Sequence, residues 1–200
     1  MLIDVIVAAR NNDEYIENMV FDREHLSDYD FSHFELKSVK FQNCQFINCD
    51  FTKVSFYSCV FNNCNFANCI FINSYWRQSQ IMNCKGDGAN FSNSHIKQSI
   101  FEGSSFSYAN FMESAFEDSS IIDSRCNGAS FMQVKFKKVL LQNANFAEAE
   151  FFKASLKGLD FSDCEISGII ISESLSELKG VKVSACQAVD IAQMIGVKVV

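Results

Sequence analysis

From Phe21 onward, every fifth residue is large and apolar. The series runs through Phe21, Leu26, Phe31, Leu36, Phe41 and Phe46 and continues to Ile171 without a shift of register. It comprises 31 positions, holds 19 of the 21 phenylalanines, and has one centre that is not apolar, Gly86. A short fixed period constrains the fold before any local propensity does. Neither regular element can use a step of five. In a straight strand the side chains alternate, so successive centres would point to opposite faces. In an α-helix five residues turn through about 500°, and the rings would spiral around the axis. To keep every centre inside, the backbone itself must turn at each repeat, which describes a coil wound around its own core.

A second pattern sits two residues before each centre, and it is small. Cys44, Cys49, Cys59, Cys64 and Cys69 give way to Ser94, Ser99 and Ser104 and then to Ala144, Ala149 and Ala154. Seven of the nine cysteines occupy this slot. The sequence also sets the size of the coil. Residues 41–51, FQNCQFINCDF, and 61–71, FNNCNFANCIF, share F-x-N-C-x-F-x-N-C-x-F at a lag of 20. Four repeats therefore close one coil. Stacked at the strand-pairing distance of roughly 4.8 Å, the 31 repeats make nearly eight coils and a rod roughly 37 Å long. A lone pentapeptide cannot offset its backbone entropy of about 1–2 kcal/mol per residue. Stacked coils that share ladders can.

The repeat fades after Ile171, where Ser176 takes the next centre. We divide the chain into a capping segment 1–20, a repeat region 21–173 and a C-terminal module 174–200. Ser184 with Gln187 is a capping-box signature. Residues 185–195 read as a helix, Gly196 as its stop, and Val197–Val200 as a strand. The apolar residues of this module, Val181, Val183, Val189, Ile191, Met194, Ile195, Val197 and Val199, exceed what one rod end needs. A two-fold homodimer would bury them. For residues 1–20 the pattern leaves helix and strand both open.

Composition removes several function classes. The net charge is −7 and the pI about 4.9, which argues against direct nucleic-acid binding and permits basic partners. No run approaches the length of a membrane span. Met1–Arg10 lacks a basic n-region and carries Asp4, so it does not read as a secretory signal. The chain reads as cytoplasmic, with its cysteines as free thiols.

Three repeats, Ala89-Asn90-Phe91, Ala109-Asn110-Phe111 and Ala144-Asn145-Phe146, match the pentapeptide-repeat pattern A-(D/N)-(L/F)-x-x. The chain resembles the Qnr and MfpA proteins, and among them the Qnr-like proteins of Gram-positive bacteria. The closer likeness rests on Cys84–Phe91, Ser155–Ser162 and the tail, with Leu178–Val183, Gln187-Ala188 and Ile195-Gly196-Val197. The resemblance implies an all-β fold, a right-handed quadrilateral β-helix with a short C-terminal capping and dimerisation helix. It also implies an acidic, DNA-mimicking rod that binds DNA gyrase or topoisomerase IV and protects it from quinolones. Several Qnr proteins interrupt the coil with loops; the unbroken register here leaves no room for them, as in the MfpA proteins. A different target, such as a peptide toxin against which the chain confers immunity, is the alternative.

The 20-residue lag sorts the charges by side. The side of Phe21 and Phe41 carries Asp22, Glu102, Asp123, Asp160 and Asp163 against Arg23 and Lys40, net −3. The side of Leu26 and Phe46 is also net −3, with Asp87 and Glu148 among its acids and Lys85 and Arg125 as its bases. The side of Phe31 and Phe51 carries Asp30, Asp50, Glu113, Glu150 and Glu173 against Lys53 and Lys153, again −3. The fourth side, with Leu36 and Trp76, sets Glu35, Glu117, Asp118 and Glu177 against seven bases and is net +3. The acids of the first and third sides other than Glu173 are the candidate partner contacts, read as acidic columns.

No cofactor or metal is expected. The cysteine spacings of five and twenty follow from the repeat, and Ser or Ala fills the same slot elsewhere, so the thiols read as core filler. His25, His33 and His95 share no ligand spacing and read as turn residues. Gly86-Asp87-Gly88 lacks the strand-to-helix context of a phosphate loop and reads as a local narrowing or dent. No nucleophile–base pair stands out, so the chain does not read as an enzyme.

Overall fold

The computed structural model describes residues 1–12, 14–194 and 196–199. The strands pair in parallel and every partner lies 20 residues away, as in Ile16↔Leu36, Phe21↔Phe41 and Phe101↔Ile121. This is the four-sided parallel β-solenoid that the repeat demands. The first side (Phe21, Phe41) and the fourth (Leu36, Phe56) each form a sheet of seven short strands. On the other two sides, beyond the pair His25–Ser27 and Gln45–Ile47, the ladder continues as isolated bridges such as Asp50↔Ile70 and Ile70↔Asn90. Seven strands span six coil steps, fewer than the repeat count implies. The outer coils are carried by bridges, including Lys135↔Ser155 and Asn145↔Glu165.

The turn at each repeat has a definite backbone form. The residue two after each centre has a positive φ at every repeat from Asn18 (55°) to Gly158 (86°). Asparagine and glycine tolerate this region best. They hold many of these corners, among them Asn43, Asn63, Asn73, Gly88 and Gly128. Of the three histidines only His33 is at such a corner; His25 and His95 lie on strands. Their positions one before a centre make them ladder residues.

Inside, rings stack along the axis. On the third side Phe31, Phe51, Phe71, Phe91, Phe111, Phe131 and Phe151 run in one column, with neighbouring centroids 4.4–5.3 Å apart. Around the corner the rings meet edge to face, as Phe41 does with Phe46 at 83°. Each such pair adds about 0.5–1.5 kcal/mol to the burial itself. Trp76 takes a phenylalanine position, and its indole N–H donates to Ser74 Oγ at 2.8 Å.

The small slot is an internal hydrogen-bond ladder. Ser79 Oγ donates toward Phe56 O (3.1 Å) and accepts from Cys59 N (3.1 Å). Cys64 Sγ points likewise at Phe41 O, 3.4 Å away. The cysteines are free, and all but Cys186 are buried. Burial pushes the Cys59 thiol up to about 11, so it stays protonated and serves as filler.

Gly86 is neither a dent nor a break. Its ladder is intact through Asn65↔Lys85 and Lys85↔Ser105. A Cβ there would lie 2.6 Å from the Phe66 ring and 2.9 Å from the Phe106 ring. Rings from the coils on either side fill the place of the missing side chain. We expect Gly86→Ala to cost about 1–3 kcal/mol by overpacking, seen as a lower midpoint in urea unfolding.

Both rod ends are covered. Helix α1, Leu2–Asn12, buries Leu2, Ile6 and Ala9. Arg10 holds it on the first coil through Asp30 O (2.8 Å) and the Phe34 ring. The ladder begins at Ile16, one repeat before Phe21. At the other end, Ser176–Leu178 makes a single 3-10 turn and helix α2 spans Ala185–Met194. The capping box forms: Ser184 N donates to Gln187 Oε1 (2.7 Å), and Gln187 N donates to Ser184 Oγ (3.3 Å). The amide of Gln187 also donates to Phe161 O (2.8 Å) and Cys164 O (2.6 Å). Gly196, at φ 82°, closes the helix, with Val197 N bound to Ala192 O at 3.0 Å. Residues 197–199 form no strand. The carbonyls at the coil end are engaged by Gln187, and Lys182 O accepts from Phe161 N. Val200 lies outside the described residues.

Candidate interaction surface

The register places each candidate acid on the rod's exterior, but it brings few of them together. Asp30 and Asp50 stack directly across one coil step. Both are partly committed to their own turns: Asp30 Oδ1 accepts from Ser32 N (2.7 Å), and Asp50 Oδ1 from Thr52 N (2.8 Å). The Ser32 hydrogen bonds, with Arg10 nearby, hold the Asp30 carboxyl below its usual range. Asp160 accepts from Ser162 Oγ (2.6 Å) and N (3.1 Å), lies 3.8 Å from Lys182, and is lowered in the same way. Asp22 and Asp123 accept from Asn43 and Asn143 of the next coil, at 2.7 and 2.8 Å. Glu102, Glu113 and Asp163 stand more freely exposed, and Glu150 is half-buried. Glu113 and Asp123 occupy left-handed corners, at φ 59° and 49°. The acids are thus spread along the rod at a lower density than the phosphates of DNA, one per roughly 1.7 Å of axis.

Glu177 leaves the fourth side altogether. The closing 3-10 turn buries it, and its carboxylate accepts from Lys153 N (2.7 Å) and Ser172 Oγ (2.7 Å). The sequence counted it on that side only because the five-residue step was carried past the end of the coil. The C-terminal candidates divide in two. Val181, Val183 and Ile191 pack against the core. Val189, Met194, Val197 and Val199 are exposed, as is Ile170 of the last coil. Ile195 lies outside the described residues. Grooves on either side of α2 are lined by Ile170, Ile171, Leu175 and Met194, and by Ile166, Gly168 and Asp190.

One further exposed residue lies off the centre positions. Tyr108 stands at a corner between the second and third sides, 69% exposed, in the left-handed region at φ 58°. Its ring lies over Gly128, where a Cβ would come within 2.6 Å of it. The same corner carries Asn48, Asn68 and Gly88 in the coils below. A bulky residue is strained in this region by about 1–2 kcal/mol. Tyr108→Asn is therefore expected to stabilise the fold by about 0.5–1 kcal/mol, measured by urea unfolding. An interior packing role for the ring predicts the opposite sign.

Among the described residues, no cluster of His, Cys, Asp and Glu could hold a metal, and no helix is long and apolar enough to cross a membrane.

Comparison with known proteins gives two repeat matches. The family described as pentapeptide repeat region matches residues 54–131, and that described as pentapeptide repeats matches residues 129–168 with eight copies. The family described as SV2A/B/C luminal domain also matches, over residues 6–91. No curated protein matches the chain. Similar solved structures include QnrB1, described as a plasmid-mediated fluoroquinolone resistance protein. A trypsin-treated variant of it has a TM-score of 0.59 at 17% identity, covering 92% of this chain and 100% of that one. The full-length form gives 0.51 at 18% identity, over 90% and 99%. A second trypsin-treated variant gives 0.50 at 20%, over 93% and 99%.

Proposed function

Because this chain is a pentapeptide-repeat protein with a Qnr-like fold, we propose that it is a non-catalytic, DNA-mimicking binder of a type II topoisomerase, gyrase or topoisomerase IV. The observation that carries this reading is the charge of the rod. Three of its four sides are net acidic, on a rod whose interior is filled with stacked rings. A straight acidic rod can lie in a cleft that accommodates duplex DNA, and its affinity would fall with salt. Glu102, Glu113, Glu150 and Asp163 are the acids least committed to internal bonds, and exposed Tyr108 offers a separate aromatic contact at its own corner.

The exposed residues Val189, Met194, Val197 and Val199 fit a two-fold homodimer at the C-terminal end. The buried free thiols suit a reducing compartment, and we place the protein in the cytoplasm. The name of QnrB1 carries fluoroquinolone resistance, and protection against such drugs is the corresponding expectation here.

The test is gyrase supercoiling with purified protein titrated in, with and without ciprofloxacin. Restored supercoiling in the presence of the drug supports a protector. Inhibition without restoration supports a competitor of DNA only. No effect on gyrase or topoisomerase IV removes the proposal, and affinity capture of a peptide toxin would then support the immunity reading.

A further inference from the structure

The fourth side differs from the rest of the surface in chemistry as well as in sign. Its strands stack in register, so Tyr57, Arg77, Lys97, Glu117 and Lys137 form one outward column. Beside it the Tyr75 ring lies 5.6 Å from Tyr57 and 5.7 Å from His95. With Glu177 withdrawn, six cations from Arg77 to Lys157 face two anions, Glu117 and Asp118.

Those two anions are already satisfied from within. Glu117 is held by Lys137 (2.5 Å) and Lys97 (3.1 Å), which bring its carboxyl down to about 2. Asp118 pairs with Lys138 at 3.8 Å. Arg77, Lys135 and Lys157 make no ion pair among the described residues. The result is a flat sheet face with a half-buried aromatic floor and unpaired cations along it.

We propose that this side is a second interaction surface, and that it takes a short acidic segment of a protein. Charge complementarity argues for an anion. The width of the strip and the rest of the charge argue for a short one. The strands are three residues wide, roughly 10 Å, and the sides adjoining the strip are each net −3. A nucleic acid would extend beyond the strip into repulsion from a chain of net charge −7. A run of glutamates and aspartates can stay on the strip, with its aliphatic stems against Tyr57 and Tyr75. Its cations and rings are not among the candidate topoisomerase contacts, which lie on the two adjoining sides, so the proposal does not rest on the topoisomerase reading.

The test is fluorescence anisotropy of the full chain with a labelled, short poly-glutamate peptide, and with a single-stranded oligonucleotide of equal charge. Arg77→Glu with Lys135→Glu should weaken the peptide about tenfold or more, since four charge units are reversed at the strip. Glu148→Gln, on the opposite side, should leave the affinity unchanged. Urea unfolding of the variants confirms that the fold persists, and Arg77→Gln with Lys135→Gln gives a milder pair should the reversal unfold the chain. Failure of the wild-type chain to bind the peptide overturns the proposal. So does equal binding by both charge variants, and so does tighter binding of the oligonucleotide than of the peptide.

Discussion

Phe91→Ala is expected to destabilise the rod by about 3–5 kcal/mol, a large part of the total for a domain of this size. Phe91 is fully buried at mid-rod and stacks between Phe71 at 4.6 Å and Phe111 at 5.0 Å. It also meets Trp76 and Phe106, so truncation leaves a void between three coils. The surroundings cannot collapse into it, because each coil is held at its spacing by ladders such as Phe91 N to Asn110 O, 2.7 Å. Urea unfolding with unchanged slope would report this loss directly. A change below about 1 kcal/mol would mean that the column relaxes along its axis, and that the coils are not rigid units. Phe152, half-buried and off the centre positions, is the control; its truncation should cost far less.

Reversal of charge on the third side should have the other large effect. Glu113→Lys with Glu150→Lys changes the surface by four units while touching no carboxylate that holds a turn. At an effective dielectric near that of water each unit is worth about 1 kcal/mol at contact. Topoisomerase inhibition should therefore weaken by up to about 1,000-fold at low salt, and by less as salt screens the field. Asp30→Asn is a poor substitute for this test. That carboxylate also binds Ser32 N and lies near Arg10 of α1, so its loss mixes binding with cap stability. If the reversed variant inhibits as well as the wild-type chain, acidic mimicry by this side is wrong.

Much of the architecture could be read from one period. The step of five placed Phe21 to Ile166 inside, and the lag of 20 set a register that holds in every strand pair, because a repeated unit leaves no freedom in how coils stack. The capping box at Ser184 and Gln187 was legible because it is local chemistry. The left-handed corners had a signal too. Asparagine or glycine recurs two residues after many centres, at Asn43, Asn63 and Gly88 for example. What stayed hidden belongs to the ends and to the surface. Helix α1 lies outside the repeat and had no period to betray it. The second role of Gln187, closing Phe161 O and Cys164 O, depends on where α2 lands. The acids looked like columns, yet only Asp30 and Asp50 stack, because a side shared by several residues is not a line of neighbours. Tyr108 belongs to the same signal as the corners, since it stands in a slot held by Asn48, Asn68, Gly88 and Gly128 in other coils.

The separation of five from twenty has a consequence for how such a chain can change length. An added pentapeptide would keep every later ring inside, since the centre-to-centre step is preserved. It would also turn every later coil by a quarter of the circumference. Lys135, Lys137 and Lys138 would leave the line of Arg77 and Lys97, and the acids beyond the insertion would follow. Twenty residues could be added or lost with the exterior still in alignment. The interior therefore tolerates steps of one repeat, while the exterior tolerates only whole coils. In lineages that keep a surface pattern under selection, length should vary in units of twenty. Variation in units of five would mark rods whose sides have no partner to satisfy.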